Sequence, residues 1–73
     1  MSNTKVLGII GGGQLGIMLC QAAKNLDIKT VIYCDDEDSP AQNYSENFIC
    51  GEYDDETKIK EFTNQVDVVT FEF

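Results

Sequence analysis

The sequence contains no histidine and no arginine. Without histidine, the common zinc and non-haem iron ligand sets are out of reach, and so is any histidine-based nucleophilic triad. With no arginine, five lysines stand against thirteen acidic residues, for a formal net charge of -8. A nucleic-acid backbone would be repelled by that balance, so no nucleic-acid partner is expected. Long apolar runs are also missing. The amino terminus, MSNTKVLGII, is too short in its apolar part for a signal peptide or a membrane span, and a soluble, cytoplasmic chain is expected. The three cysteines, Cys20, Cys34 and Cys50, form no C-x-x-C pair and sit inside apolar stretches, as reduced core thiols do. There is one proline, no low-complexity run and no internal repeat, and 42% of the residues are hydrophobic against 25% charged. That composition belongs to a folded domain and not to a disordered tail.

A length of 73 residues allows one small domain. A chain of this size buries only about 60% of its unfolded surface, so it is either marginal alone or one layer of something larger. Nine of the thirteen acids (Asp35, Asp36, Glu37, Asp38, Glu46, Glu52, Asp54, Asp55, Glu56) fall between positions 35 and 56. They are read as a solvated loop region, and no metal site is expected.

Strand and helix signals alternate along the chain. Residues 5–10 form a β-rich run ending in glycines. The segment after them places Leu15, Met18, Leu19, Ala22, Ala23 and Leu26 at offsets 0, 3, 4, 7, 8 and 11, a helical stripe. Residues 29–34 (KTVIYC) read as a second, buried strand, followed by an acidic loop in which Ser39 and Pro40 suit the start of a single helical turn. A short third strand at 47–50 precedes a helix capped by Asp54 or Asp55, with Ile59, Phe62 and Val66 inward and Lys58 and Lys60 outward. Residues 68–73 (VVTFEF) form the fourth strand. Apolar runs in the first two strands, in place of alternation, predict an α/β fold: a Rossmann-like parallel sheet in the order 3-2-1-4 with helices on both faces.

Strand order reverses between the first and fourth strands, and ligands of open α/β sheets bind beyond the carboxyl ends of strands at such a reversal. The stretch GIIGGGQLG leaves strand 1 there and carries G-x-G-x-x-G at Gly11, Gly13 and Gly16. Gly11 serves the tight exit from the strand, Gly13 the close approach of a ligand, and Gly16 the packing of helix on sheet. Glu72 leaves strand 4 beside this loop. The two should converge on one crevice that offers backbone N–H groups, a helix dipole, the Gln14 amide and a carboxylate. Asp35, 19 residues beyond Gly16, matches the acid that holds a ribose in a dinucleotide site. Asp36, Glu37 and Asp38 would crowd further negative charge near a pyrophosphate. A smaller ligand with an amine for Glu72 fits better.

Four features together, GGGQLG at 11–16, the D-x-D-S-P-A stretch at 36–41, Tyr53-Asp54-Asp55 before a helix, and VVTFEF at 68–73, resemble the amino-terminal segment of the 5-(carboxyamino)imidazole ribonucleotide synthases. These are ATP-grasp enzymes of purine biosynthesis. The resemblance covers almost the whole chain and implies a pre-ATP-grasp domain over residues 1–73, incomplete, with the ATP-grasp and carboxy-terminal domains outside it. It implies a biotin-independent carboxylation in which ATP activates bicarbonate as carboxyphosphate and the amine of 5-aminoimidazole ribonucleotide takes up the carboxyl group. ATP and Mg²⁺ would bind outside these residues, and the full-length enzyme would be a homodimer. Gly13, Gln14, Leu15 and Glu72 would contact the ribonucleotide, and no catalytic residue would lie in this segment, which alone would be inactive. Position 17 is Ile where such enzymes often have arginine, which removes one phosphate partner.

Two other readings stay open: the nucleotide-binding part of a nicotinamide-dependent oxidoreductase, and a stand-alone α/β binding module. Within the ATP-grasp class, the formate-using glycinamide ribonucleotide transformylase is the nearest alternative. It would be expected to carry glutamate where this chain has Gln14.

Overall fold

A computed structural model of the chain describes residues 5–72. Its elements run β1 (Val6–Ile10), α1 (Gln14–Asn25), β2 (Lys29–Cys34), a single turn of 3-10 helix (Pro40–Asn43), β3 (Asn47–Cys50), α2 (Glu56–Thr63) and β4 (Val68–Phe71). All strand pairings are parallel, in the order β3-β2-β1-β4. Both the predicted order and the predicted parallel sheet are therefore present. β4 ends at Phe71, two residues before the expected limit, and Phe73 lies outside the described residues.

Each face of the sheet carries its own core. On one face, Ile9, Ile32 and Cys34 pack with Cys20 of α1 and Ala41 of the 3-10 turn. On the other, Val31, Tyr33 and Ile49 pack with Phe62 of α2, and Val66 lies against them. Where successive side chains enter two different cores the strand is apolar, which is why β2 reads as an uninterrupted run from Val31 to Cys34. Tyr33 and Phe62 meet with ring centroids 5.5 Å apart, tilted at 55°. Such geometry adds about 0.5–1.5 kcal/mol to their area burial. The Tyr33 hydroxyl donates to the Glu52 carbonyl, which satisfies its polar end.

The α1 stripe differs from the sequence reading. The buried residues of α1 are Gly16, Cys20 and Ala23, whereas Leu15, Met18 and Leu26 are exposed. Helical periodicity finds large apolar residues, but here the inward face is made of small ones. A Cβ on Gly16 would lie 3.2 Å from the Gly11 carbonyl oxygen and 3.5 Å from Ala41 Cβ. The helix therefore sits closer to the loop than a larger residue allows; Leu15, Met18 and Leu26 are exposed, while Ile17 and Leu19 stay partly buried against the core.

Helix α2 is capped and faced as expected but ends at Thr63, so Val66, expected on its inner face, lies beyond it and packs from the following turn. Asp55 is its N-cap and accepts from the Lys58 backbone N–H at 3.1 Å, while Lys58 and Lys60 face outward. The chain leaves α1 through Asp27, whose φ of 59° places a non-glycine residue in the left-handed region. The Asp27 N–H donates to the Lys24 carbonyl and the Ile28 N–H to the Ala23 carbonyl, so the turn closes the end of the helix. Among the described residues no helix is long and apolar enough to cross a membrane.

Candidate ligand site

The site is built where β1 and β4 end side by side. Register pairs Ile10 with Phe71, so Gly11 and Glu72 leave the sheet together, and the Glu72 N–H donates to the Ile10 carbonyl at 3.1 Å. Gly11 has φ +115°, a conformation open to glycine and strained for other residues, and its N–H reaches the Tyr33 carbonyl at 2.8 Å. A side chain there would also collide with the Glu72 stem.

Helix α1 starts at Gln14 with Gly13 as its N-cap. Glycine at the cap supplies no side-chain oxygen, and Gly16 in the first turn supplies none either. The acceptor comes from the far end of the chain. Glu72 Oε2 accepts from the Gly13 N–H at 3.1 Å and from the Gly16 N–H at 2.6 Å. These are the two donors that a capping box would satisfy with local side chains. Here one carboxylate oxygen serves both and sits at the positive end of the helix dipole, a placement worth about 0.3–1 kcal/mol beyond the hydrogen bonds.

The opposite side of the loop is held by the segment after β2. The Gly12 carbonyl accepts from Ser39 Oγ at 2.6 Å and from the Ala41 N–H at 3.3 Å. Ser39 is 2% exposed although the acids before it, Asp35 to Asp38, are exposed. Cys34 Sγ also lies against Gly12, 3.1 Å from where a Cβ would be. At the end of β2, the Tyr53 ring lies 6.0 Å from that of Tyr33. Burial, then Cys34 and Asp35, push the Tyr53 hydroxyl above its ordinary value, against a lowering backbone hydrogen bond at Asp35. Burial, then Asp55, do the same to Tyr33.

Of the residues expected at the site, Gly11, Gly13, Gly16 and Glu72 are brought into contact. Gln14 and Leu15 lie in the first turn of α1 and are exposed, and among the described residues Gln14 makes no side-chain hydrogen bond. Asp35 follows β2 directly and is exposed. Sequence reasoning took Ser39 only as the start of a helical turn. Its contact with Gly12 could have been sought from the strand order, since the loops after adjacent parallel strands emerge side by side.

This geometry decides what the loop can receive. A phosphate at the start of α1 would need the N–H groups of Gly13 and Gly16, and both are engaged by a carboxylate of the same chain. Glu72 Oε1, which makes no hydrogen bond among the described residues, is the atom left to accept from a ligand amine or hydroxyl. Among those residues no group of three or more His, Cys, Asp or Glu is placed to hold a metal ion. With the Gly13 and Gly16 N–H groups engaged by Glu72, the loop as it stands offers a phosphate no free backbone donor at those two positions.

Fold and loop together define a class: a parallel α/β domain whose glycine loop, at the strand-order reversal, is closed by a carboxylate. Residues 4–73 match the model of the ribonucleotide synthetase preATP-grasp domain, and the chain belongs to that family. It is 42% identical over 67 residues to the N5-carboxyaminoimidazole ribonucleotide synthase of Staphylococcus haemolyticus, covering 92% of this chain and 18% of that protein. The same identity over the same length is found with the chloroplastic phosphoribosylaminoimidazole carboxylase of Vigna aconitifolia, of which the match covers 12%. In structure, it superposes on the N5-carboxyaminoimidazole synthetase of Staphylococcus aureus, crystallised with ADP, with a TM-score of 0.92 at 38% identity, over all of this chain and 20% of that one. The chain therefore spans about one fifth or less of the length of these relatives.

Proposed function

We propose that the chain is the amino-terminal, ribonucleotide-facing part of an enzyme that converts 5-aminoimidazole ribonucleotide, bicarbonate and ATP to 5-(carboxyamino)imidazole ribonucleotide, ADP and phosphate. The observation that carries this reading is the Glu72 carboxylate seated in the glycine loop. It turns a motif suited to phosphate into one that presents a carboxylate oxygen, and so selects a ligand with an N–H or O–H to donate. An aminoimidazole ribonucleotide has both an exocyclic amine and ribose hydroxyls.

ATP, held with Mg²⁺ by polypeptide outside these residues, supplies the activation of bicarbonate. The residues of this chain bind and orient. Glu72 Oε2 stays on the loop while Oε1 accepts from the amine or a ribose hydroxyl. The exposed Gln14 amide both donates and accepts from the first turn of α1, and the Leu15 side chain and the bare Gly13 backbone give the ring a surface to lie on. Holding the amine in one direction is the contribution such a segment makes to its attack on an activated carboxyl group. The enzyme-length protein is proposed to act as a homodimer, and residues 1–73 alone to turn over nothing.

The test uses a polypeptide of the relatives' full length that carries these residues. Gln14→Ala and Glu72→Ala should each weaken use of aminoimidazole ribonucleotide by about 1–3 kcal/mol of lost polar contact, leaving the ATP requirement nearly unchanged. Loss of ATP affinity with ribonucleotide affinity kept would place the nucleotide at the glycine loop and end this reading. The oxidoreductase alternative has its own check: saturable binding of NADH to the chain, followed by its fluorescence, would favour it.

A further inference from the structure

We propose that Ser39 is a positioning residue for the ligand-facing carboxylate, acting through the single peptide bond between Gly12 and Gly13. In a trans peptide the C=O and the N–H point to opposite sides. Here the carbonyl of that bond accepts from Ser39 Oγ at 2.6 Å, and its N–H donates to Glu72 Oε2 at 3.1 Å. One peptide plane is thus gripped from both sides, by a hydroxyl from the loop after β2 and a carboxylate from the end of β4.

The grip matters because of what flanks the bond. A peptide between two glycines can rotate between orientations that a Cβ on either side would forbid. Rotation would turn the Gly13 N–H away from Glu72 and leave the carboxylate with the Gly16 N–H alone. The Ala41 N–H, at 3.3 Å, is the longer of the two bonds to the Gly12 carbonyl and holds it less firmly. Ser39 is itself fixed: its N–H donates to the Asp36 carbonyl at 3.1 Å, Asp38 N–H donates to Asp36 Oδ1 at 2.9 Å, and Pro40 follows with its restricted φ. With 2% of its surface exposed, the hydroxyl has no bulk water to exchange for. The acidic loop is thereby more than solvated charge, because its ordered turn aims one buried hydroxyl at the glycine loop.

This inference rests on the reading that Glu72 meets the ribonucleotide, and two measurements separate them. The first is amide exchange on the chain itself. Ser39→Ala should speed exchange at Gly13 by about tenfold, while Gly16, still held by the carboxylate, and the Ile9 and Ile32 amides, buried in the sheet, change much less. Uniform acceleration, or none at Gly13, overturns the proposal. The second is steady-state kinetics in the full-length polypeptide. Ser39→Ala should raise KM for aminoimidazole ribonucleotide by about five- to tenfold, with kcat and the KM for ATP within about twofold. An unchanged ribonucleotide KM, or an equal loss in every parameter, also overturns it. If the unsubstituted full-length polypeptide consumes no aminoimidazole ribonucleotide, the proposed function fails, and the exchange pattern alone decides whether Ser39 pins the loop.

Discussion

Removing the Glu72 carboxylate should cost the chain stability out of proportion to a residue at the end of an edge strand. Its Oε2 accepts two backbone N–H groups, at 3.1 and 2.6 Å, on a half-buried side chain. Hydrogen bonds to charged groups contribute about 1.5–3 kcal/mol each, and sharing one oxygen reduces the pair to less than twice that. In Glu72→Ala, water can reach the half-buried Gly13 N–H, but the Gly16 N–H is buried and stays unpaired. A loss of about 2–4 kcal/mol is expected, a large part of what holds a domain of this size together. Glu72→Gln keeps the shape and one accepting oxygen but loses the charge and its interaction with the α1 dipole, for about 1–2 kcal/mol. Urea unfolding followed by far-ultraviolet circular dichroism measures both, and the order of stability should be glutamate, glutamine, alanine. Surface substitutions away from specific contacts stay within about 0.5 kcal/mol. A change no larger than that in Glu72→Ala would refute the argument that the carboxylate closes the loop.

Gly12→Ala should destabilise by about 1–3 kcal/mol in the same assay, because its Cβ would overlap Ser39 and press on Cys34 Sγ, as overpacking does. Asp27→Gly should stabilise by about 0.5–1 kcal/mol, since glycine takes the φ of 59° without strain. By calorimetry that is a rise of several degrees in Tm, and a fall would mean that the aspartate side chain holds the turn. Stability should decline as pH rises above about 9 and further above 10. Burial is the first cause that raises the Cys20 and Cys50 thiols above their ordinary value of 9.0 and the Tyr33 and Tyr53 hydroxyls above 10.0. The unfolded chain therefore releases those protons first, and alkali draws the equilibrium towards it. Urea midpoints unchanged between pH 8 and pH 11 would contradict this.

The sheet was legible because each strand announced itself by one physical signal. β2 is apolar from Val31 to Cys34 since each of its faces meets a core, and right-handed crossovers then left the order 3-2-1-4 as first choice. The convergence of Glu72 on the glycine loop followed from that order alone. What the carboxylate does there did not follow, because the choice between facing a ligand and accepting from Gly13 and Gly16 is a matter of a few ångströms that topology does not set. The α1 stripe gave the helix, with Ala23 and Leu19 inward, but not its whole inner face, for a related reason. Apolar periodicity weights Leu15, Met18 and Leu26 by size, whereas the inner face is selected by how closely a backbone can approach, which favours Gly16, Cys20 and Ala23. The contact of Ser39 with Gly12 escaped notice because a serine before proline is an ordinary turn residue, and its burial is what sets it apart.

The acceptor that closes the glycine loop stands 59 residues from the N-cap it serves. Local contacts alone cannot complete that loop, since its acceptor arrives with β4, the only described neighbour on its side of β1. Closing so long a segment has an entropic cost that the β4 pairing must first recover. Closure of the loop by Glu72 therefore requires β4 to be docked beside β1. A partly opened chain, even one with β1, α1 and β2 in place, presents the bare Gly13 and Gly16 N–H groups and no carboxylate between them. Closing the glycine loop is thus a property of the paired sheet, and β1, α1 and β2 by themselves do not supply it.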